Sequence, residues 1–295
     1  MTQRLLALGL GYSATALAAR LSAKGWRVAG TARGADSLAR IASRGFEAIP
    51  YDGAAPSDDL AQAIAEATHL VVSIAPNEVG DPALRHHREH IAAAPHLRWI
   101  GYLSTVGVYG DHGGAWVDEQ TPPNPSPGRS MERVAAEHAW GDVGVERGAR
   151  TQIFRLSGIY GPGRNPLERM LAGDKQTIYK PGQVFNRIHV EDIATVLEAA
   201  IAGASDQPVF NVTDDEPAPP QEVADFAAAL LGIAPPPLVP LDEAILSPMA
   251  RSFYAENKRV RNELIKTELG VALAYPTYRE GLRAIYDDLR ARGRI

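Results

Sequence analysis

The sequence predicts an α/β protein built on a doubly wound parallel sheet. Short apolar runs alternate with amphipathic stretches over the first 157 residues. The first of these runs leads into a glycine-rich turn and then into a helix-forming tract. With 295 residues, 45% of them hydrophobic, the chain can form one large domain or two closely joined lobes.

The alternation can be followed element by element. Strands are predicted at residues 4–8, 27–31, 47–50, 70–74, 99–104 and 152–156. Helices are predicted between them at residues 15–24, 37–43, 58–66, 82–94 and 130–142. Strands that alternate with helices in this way are typical of a parallel sheet with helices on both faces.

The composition of the sequence changes after Leu156. Residues 158–186 are rich in Gly, Pro and Arg and predict loops around one short helix. Further on, strands are predicted at 186–190 and 209–213, and helices at 191–202, 221–231, 260–269 and 278–291. We therefore expect a Rossmann-type nucleotide-binding lobe over residues 1–157, rejoined by 187–213. A smaller, loop-rich C-terminal substrate lobe takes up most of 158–295.

The glycine-rich turn has the spacing G-x-G-x-x-A, formed by Gly9, Gly11 and Ala14. Gly9 allows the tight turn, Gly11 leaves space for a pyrophosphate, and Ala14 lets the helix pack close to the strand. The predicted helix over residues 15–24 follows, and its positive amino end faces the phosphates, so Tyr12 and Ser13 just before it are expected to contact the cofactor. The turn predicts a bound dinucleotide, with an ordinary strand-to-helix turn as the alternative.

The residues after the second predicted strand favour NADP over NAD. Thr31, Arg33 and Ser37 lie where the adenosine ribose is recognised, and the first carboxylate there is Asp36. An arginine at this position accommodates a 2′-phosphate, whereas an acidic residue binds the 2′-hydroxyl of NAD. A solvated surface arginine is the alternative. By position, Asp52 is expected near the adenine, and Ser73 and Ala75 near the adenosine ribose.

Composition and charge exclude several partners. The net charge is −5 and the pI is about 5.9, which argues against nucleic acid. No apolar run is long enough to span a membrane, and residues 5–10 are too short for a signal peptide, so we expect a cytoplasmic protein. Cysteine is absent. The His-x-x-Glu-His pattern of His86, Glu89 and His90 is favoured as a solvated helix face, and no metal is expected.

Several segments resemble the extended short-chain dehydrogenase/reductase family, which includes nucleotide-sugar epimerases and dehydratases. These segments are residues 102–110, 118–122, 155–163, 187–194, 211–214 and 257–260, in family order. The resemblance implies that Ser104, Ser157 and Gly158 lie near the nicotinamide and that Thr105 binds a substrate oxygen. The glycine turn departs from the family, because Leu8 stands where its first glycine is expected.

A second departure concerns the active-site helix. The family uses Tyr-x-x-x-Lys, in which the lysine lowers the pKa of the tyrosine so that its phenol can exchange a proton. Matching residues 134–137 to the family helix puts Arg129 at the tyrosine position and Arg133 at the lysine position. Arginine stays protonated, so Arg129 cannot replace the tyrosine, although Arg133 can bind the nicotinamide ribose. Tyr254 and Lys258 have the motif's spacing by coincidence.

Other groups are therefore considered for proton transfer and substrate binding. The acid or base candidates are Tyr109, Tyr160, His112, Glu119 and His189, each of which has a structural role as its alternative. The resemblance and loop positions also predict Tyr109, Tyr160, Arg164 and Arg187 as substrate-binding residues. With Lys180, the two arginines suit an anionic substrate.

Two functions follow from these observations. One is an NADP-dependent oxidoreductase, epimerase or dehydratase with a non-standard active site. Its small-molecule substrate would carry a carbonyl, a hydroxyl or a nucleotide-sugar-like group. The other is a non-catalytic NADP-binding sensor or regulatory protein. The missing tyrosine favours the second, whereas Ser104, Thr105 and the arginines favour the first. We expect a monomer or a homodimer.

Overall fold

The computed structural model describes residues 3–173 and 176–295. The strands are β1 (Arg4–Leu8), β2 (Arg27–Ala32), β3 (Glu47–Pro50), β4 (His69–Val72), β5 (Trp99–Thr105), β6 (Trp116–Val117), β7 (Arg150–Leu156), β8 (Gly158–Tyr160), β9 (Thr177–Tyr179), β10 (Arg187–His189), β11 (Val209–Val212), β12 (Leu238–Pro240) and β13 (Arg259–Val260).

Helices cover the sheet and also occur in the C-terminal part. They are α1 (Tyr12–Ala23), α2 (Ala35–Ala42), α3 (Asp58–Glu66), α4 (Pro82–Ala92), α5 (Arg129–Arg147), α6 (Pro166–Leu171), α7 (Val190–Ile201), α8 (Pro220–Leu231), α9 (Pro248–Phe253), α10 (Glu263–Thr267) and α11 (Tyr278–Ala291). A short 3-10 helix spans Val106–Tyr109. Within the described ranges, no helix is both long and apolar enough to cross a membrane.

The central sheet confirms the predicted fold class. Its strand order is β11-β7-β5-β4-β1-β2-β3, and every neighbouring pair is parallel. All residues of β1 and β4 are buried, because helices cover both faces. Since the strands run in the same direction, their carboxyl ends lie at one edge of the sheet. The residues that follow β1, β2, β4, β5 and β7 therefore meet there.

Two apolar clusters hold the helices on opposite faces of the sheet. On one face, Leu17 of α1 and Leu197 of α7 pack against Leu5 and Phe154 of the strands. On the other face lie α3, α4 and α5, for which Trp140 of α5 is a fully buried anchor. Helices on both faces are the doubly wound arrangement that the alternating pattern predicted.

The C-terminal part has its own small core and short strand pairs. Strand β8 pairs with β10, β9 with β12, and β6 with β13, all in parallel. Tyr160, Leu167 and Tyr278 belong to the apolar cluster that joins α6, α8 and α11. Strand β11 lies in the central sheet beside β7, so the chain returns from these short elements to the sheet's edge.

Most predicted elements are confirmed within a few residues, but the predicted helix at 260–269 is wrong over its first part. Val260 pairs with Val117 in a strand, and helix α10 begins only at Glu263. The intervening Asn262 turns its amide to Thr213 O and to Asp215, so its side chain fixes a loop instead of a helical turn. Strands β8, β9 and β12, each of three residues, were too short for a periodic pattern to reveal.

Candidate functional site

The glycine turn is held in place by the neighbouring strands. Gly9 has a φ of +86°, and its amide donates to the Thr31 hydroxyl at 2.7 Å. The next amide, that of Leu10, donates to the Thr31 carbonyl at 2.9 Å. A Cβ atom on Gly9 would lie 3.1 Å from Ile74 Cγ1, so the turn also packs against the chain that leaves β4. Glycine is needed here for both its conformation and its size.

The amino end of α1 offers unpaired donors to the space beyond the turn. No side chain caps this helix, and the amides of Tyr12, Ser13 and Ala14 have no acceptor among the described residues. A Cβ atom on Gly11 would meet nothing within 4 Å, so the backbone there is open to a ligand. Free amides, a positive helix end and open space fit the pyrophosphate of a dinucleotide.

The ribose end of the site contains two arginines. Arg33 is exposed after β2 and forms no ion pair with any described residue. Arg40 of α2, which we did not predict, donates to the Ser37 hydroxyl at 2.8 Å. The i, i+3 spacing of Ser37 and Arg40 on a helix could have revealed this contact. Thr31 differs from our expectation, because it is buried and its hydroxyl accepts from Gly9.

The residues predicted near the adenosine follow β3 and β4 as expected from position. One carboxylate oxygen of Asp52 accepts from the amide of Ala54 at 2.8 Å, so it shapes the local turn. The amide of Ser73 donates to the Leu8 carbonyl at 2.8 Å, and Ala75 is exposed. These contacts put Ser73 beside the glycine turn, and the adenosine roles of all three residues stay predictions.

Two hydroxyls meet at the carboxyl end of β5. A Cβ atom on Gly107 would lie 3.2 Å from Ser130 Oγ and 3.3 Å from Thr105 Oγ1, so both side chains face this glycine. Thr105 Oγ1 accepts from the Gly107 amide at 3.1 Å, which leaves the Thr105 hydroxyl proton free to donate. Ser130 was missed from the sequence because it is close to Thr105 only in space, through the start of α5.

The two arginines of α5 have different surroundings. Arg133 Nη1 donates to the Leu103 carbonyl at 2.8 Å and to the Tyr102 hydroxyl at 3.2 Å, which fixes the guanidinium against β5. Arg129, the first residue of α5, is exposed and forms no ion pair with a described residue. Arg133 is therefore held next to the expected nicotinamide region, and Arg129 is free to reach a ligand.

A buried polar network behind these groups uses several residues that we expected at the site. The Ser104 hydroxyl donates to Glu137, and Glu137 pairs with Arg155 at 2.7 Å, with both charged side chains almost fully buried. Arg155 Nη1 donates to the Tyr109 hydroxyl at 3.0 Å, which in turn donates to Asn211 Oδ1 at 2.8 Å. The hydroxyls of Tyr109 and Ser104 are thus bonded within the protein, and their predicted contacts with substrate and cofactor stay predictions.

Ser157 and Gly158 follow β7 at the same edge of the sheet. Ser157 is 6% exposed, and its hydroxyl has no hydrogen-bond partner in the structure. A buried hydroxyl without a partner is costly unless a ligand supplies one. Gly158 is exposed, and a Cβ atom there would lie 3.1 Å from the Asn186 carbonyl. The orphaned Ser157 hydroxyl is a second observation that fits a bound nicotinamide dinucleotide.

Tyr160 does not reach the site. It is buried in the C-terminal core, with its hydroxyl directed to the Thr277 carbonyl at 3.4 Å. A Cβ atom on Gly281 would lie 2.2 Å from this hydroxyl, so α11 is built around it. Burial raises the Tyr160 pKa, which disfavours a phenolate. Our expectation that Tyr160 binds substrate or moves a proton is therefore not supported.

The substrate-lobe cations that we predicted are also largely engaged. Arg187 Nη1 donates to the carbonyls of Phe185 and Ala218, and burial lowers its pKa despite the nearby Asp214 carboxylate. Lys180 Nζ donates to the Tyr254 carbonyl. Arg164 is exposed on the loop after β8 and has no ion pair with a described residue. Of these three, only Arg164 has no side-chain hydrogen bond to another described residue.

The remaining acid or base candidates have structural partners. His189 caps α7 by accepting from the Glu191 amide at 3.2 Å, and burial lowers its pKa to about 4. Glu119 accepts from the Asn211 amide at 2.8 Å, and burial raises its pKa. His112 Nε2 lies 3.0 Å from the Tyr109 carbonyl. Among the described residues, no three His, Asp or Glu side chains are grouped as metal ligands.

Comparison with known proteins places this site in a family. The model of the NAD dependent epimerase/dehydratase family matches residues 8–213. The chain is 51% identical to a functionally unknown conserved protein from Silicibacter pomeroyi DSS, with a TM-score of 0.87, over 97% of this chain and 99% of that one. It is 29% identical over 243 residues to protein YeeZ of Escherichia coli K12, covering 78% of this chain and 84% of YeeZ.

A more distant solved structure has the same fold. It is dTDP-glucose 4,6-dehydratase from Bacillus anthracis str. Ames in complex with NAD, which is 17% identical, with a TM-score of 0.78. The alignment covers 100% of this chain and 98% of that one. The family match spans the glycine turn, the Thr105 loop and strand β11. The chain therefore belongs to the NAD-dependent epimerase/dehydratase family of extended short-chain dehydrogenases/reductases, whose nicotinamide dinucleotide cofactor the site fits.

Proposed function

We propose that this protein is an NADP-dependent enzyme that transfers hydride to or from a carbonyl or hydroxyl carbon of a small-molecule substrate. The reacting oxygen is bound by the hydroxyls of Thr105 and Ser130. The observation that carries the proposal is the approach of these two hydroxyls to Gly107 at the carboxyl end of β5. They lie at the same edge of the sheet as the glycine turn.

The preference for NADP is supported by the ribose end of the site. Arg33 is unpaired, and Arg40 and Ser37 form a hydrogen-bonded pair on α2 beside it. Guanidinium groups bind phosphates well because their donors form a planar fork. When bound, the cofactor supplies or accepts the hydride through its nicotinamide ring. Arg133 of α5, whose guanidinium is held against β5, donates its remaining N–H groups to the nicotinamide ribose.

The substrate side of the reaction needs stabilisation of negative charge on an oxygen. Addition of hydride to a carbonyl carbon leaves an alkoxide, and the Thr105 and Ser130 hydroxyls donate to it. Loss of one such donor reduces kcat by about 10²–10³-fold in well-studied enzymes. Arginine is a poor acid at neutral pH, so Arg129 does not protonate the alkoxide. Water delivers the proton, and Arg129 attracts a substrate that carries negative charge.

The test is NADPH consumption with a panel of aldehydes, ketones and nucleotide sugars. With an active substrate, Ser130→Ala and Thr105→Val should each lower kcat by about tenfold or more, because each removes a donor to the developing alkoxide. Thr105→Ser is the matched control, because it keeps the hydroxyl and should retain most of the activity. Full activity of both Ser130→Ala and Thr105→Val would overturn the proposed role of the hydroxyl pair.

The choice of cofactor is tested by Arg33→Asp. This change puts a carboxylate where the 2′-phosphate would lie, so NADPH affinity should fall by at least tenfold while NADH affinity is kept or improved. Isothermal titration calorimetry with NADPH and with NADH measures the two affinities. Equal loss of NADPH and NADH binding would contradict the assignment to NADP.

A second candidate function is a non-catalytic NADP-binding sensor. It is favoured by one observation, the absence of a tyrosine from the first two turns of α5, where Arg129 and Arg133 stand. Tight NADPH binding without turnover of any tested substrate would support it. The double variant Arg129→Tyr with Arg133→Lys separates the two cases. A gain of reductase activity would show that the scaffold lacked only an acid, whereas the enzyme proposed above loses activity with this change.

A further inference from the structure

We propose that Arg164, a residue of the C-terminal lobe, binds the pyrophosphate of the cofactor and that Tyr12 holds it in position. This inference rests on the dinucleotide site of the proposed function and extends it to a second region of the chain. From the sequence, Arg164 is expected to bind the substrate. The geometry of the loop after β8 points instead to the cofactor.

The start of α1, just after the glycine turn, is in direct contact with this loop. Tyr12, the first residue of α1, donates its hydroxyl proton to the Pro162 carbonyl at 2.9 Å. A Cβ atom on Gly161 would lie 2.5 Å from the Tyr12 hydroxyl and 2.7 Å from Val190 Cγ1. Gly161 also has a φ of +154°, within the range that favours glycine. The loop is therefore built to receive the Tyr12 side chain.

Hydrogen bonds within the loop also fix its conformation. The Gly161 amide donates to the Arg164 carbonyl at 3.1 Å, and the Arg164 amide donates back to the Gly161 carbonyl at 3.0 Å. Asn165 Nδ2 donates to the Gly161 carbonyl at 3.0 Å while the side chain of Asn165 caps α6. Because Tyr12 and Asn165 hold the two ends of this turn, the backbone of Arg164 is placed close to the start of α1.

The charges at this loop also favour an anionic ligand. Glu168 is the acidic group bonded to this loop. Its carboxylate accepts from the Gly163 amide and pairs with Arg294 at 2.8 Å, and it forms no ion pair with Arg164. Arg164 is exposed and has no ion pair with the described part of the chain. Burial raises the Tyr12 pKa to about 12, and the nearby Arg164 guanidinium opposes that rise. The cation is thus close to the tyrosine whose own amide faces the pyrophosphate.

The backbone amides at the start of α1 and the Arg164 guanidinium offer different interactions to the same pyrophosphate. The amides of Tyr12, Ser13 and Ala14 offer neutral donors, which satisfy phosphate oxygens but bring only the partial charge of a helix end. A pyrophosphate carries two negative charges, and a guanidinium at its open side forms charge-assisted hydrogen bonds. Arg164 supplies that full positive charge from the opposite lobe. A dinucleotide would then be held by both lobes at the same group.

The experiment compares two probes, NADPH and adenosine 2′-monophosphate, which shares the phosphorylated ribose but has no pyrophosphate. Affinities are measured by isothermal titration at low salt. Arg164→Gln should weaken NADPH by about fivefold and leave adenosine 2′-monophosphate unchanged. The difference in NADPH affinity should shrink at high salt, because the interaction is partly exposed. Arg44→Gln, an exposed arginine just beyond the far end of α2, is the control and should change neither affinity.

The positioning role of Tyr12 is tested by Tyr12→Phe, which keeps the ring and removes the bond to Pro162. NADPH should weaken by about threefold, and the double variant with Arg164→Gln should bind no more weakly than Arg164→Gln alone. Additive losses would overturn the role of Tyr12.

The outcomes separate this inference from the function on which it rests. If the wild-type protein binds no dinucleotide, the proposed function fails. If it binds NADPH and Arg164→Gln binds equally well, only the present inference fails. If Arg164→Gln raises the KM for substrate and leaves the NADPH affinity unchanged, Arg164 binds the substrate and not the cofactor.

Discussion

The two ends of the candidate site differ in how their polar groups are used. Around the glycine turn, the amides of Tyr12, Ser13 and Ala14 and the side chain of Arg33 have no partners among the described residues. Around the end of β5, Ser104 and Tyr109 are bonded within a buried network that includes Glu137 and Arg155. The cofactor end is thus open for a ligand, whereas much of the expected catalytic end maintains the fold.

This difference limits which side chains can act on the substrate. Tyr109 and Glu119 would have to break hydrogen bonds inside the protein before they could bind substrate. His189 accepts the Glu191 amide through Nδ1, and although its Nε2 has no partner, burial disfavours its protonation, so all three are poor acid or base candidates. The hydroxyls of Thr105 and Ser130 remain, together with the exposed Arg129.

The largest effect is expected in the buried network. Arg155→Leu leaves the Glu137 carboxylate buried without its charge partner, which should lower the free energy of unfolding by about 3–5 kcal/mol. Urea unfolding followed by circular dichroism measures this loss. The double variant Arg155→Leu with Glu137→Leu is the control, and it should recover much of the stability because no charge is left unpaired. A single variant as stable as wild type would show that this network is dispensable.

A smaller effect concerns His189 and pH. Burial lowers its folded-state pKa to about 4 from 6.5, so the unfolded chain binds more protons between these pH values. Stability is therefore fully present above about pH 6.5 and is lost as pH falls toward 4, by about 2 kcal/mol at pH 5. His189→Asn keeps a helix-capping residue but does not titrate.

Urea unfolding at pH 7 and at pH 5 checks this prediction. The decrease in stability between the two pH values should be about 2 kcal/mol smaller in His189→Asn than in wild type. An identical decrease would mean that folding does not lower the pKa of His189, which would then return as a candidate acid. Because the comparison is between two proteins, the contributions of His69 and His87, which are also buried with lowered pKa values, cancel.

The next prediction addresses the open end of the site. Gly9→Ala forces a side chain into a left-handed conformation that costs about 1–2 kcal/mol and brings its Cβ atom against Ile74. NADPH affinity should fall by about tenfold or more, because the turn supports the amides that face the pyrophosphate. Gly25→Ala is a matched control, because Gly25 has a φ of +82° but nothing within 4 Å of its Cβ position.

Both glycine variants should lose stability, Gly9→Ala at least as much as Gly25→Ala because of its contact with Ile74, but only Gly9→Ala should lose NADPH affinity. Titration with NADPH and urea unfolding of both proteins give the four values needed. Equal NADPH affinities in the two variants would show that the turn at Gly9 does not support the cofactor site.

The cofactor end could be predicted from the sequence because its determinants are local. Gly9, Gly11 and Ala14 lie within six residues, and Arg33 follows a recognisable strand, so spacing alone located them. The catalytic end could not be predicted in this way. Tyr109 meets Asn211 across 102 positions, and Ser104 meets Glu137 across 33, so only the folded chain shows that these groups are already bonded. Ser130 was missed for the same reason.

The smallest effect concerns Thr31, for which sequence and structure suggest different roles. The sequence predicts that its hydroxyl helps bind a 2′-phosphate, whereas the structure shows it accepting from the Gly9 amide at 2.7 Å. Thr31→Val keeps the shape and removes the acceptor, which should cost about 1 kcal/mol of stability. If the hydroxyl only holds the turn, NADPH and NADH affinities should fall by the same factor. Thr31→Ser, which keeps the acceptor, should behave like wild type, whereas a selective loss of NADPH in Thr31→Val would show that this side chain belongs to the phosphate-binding end.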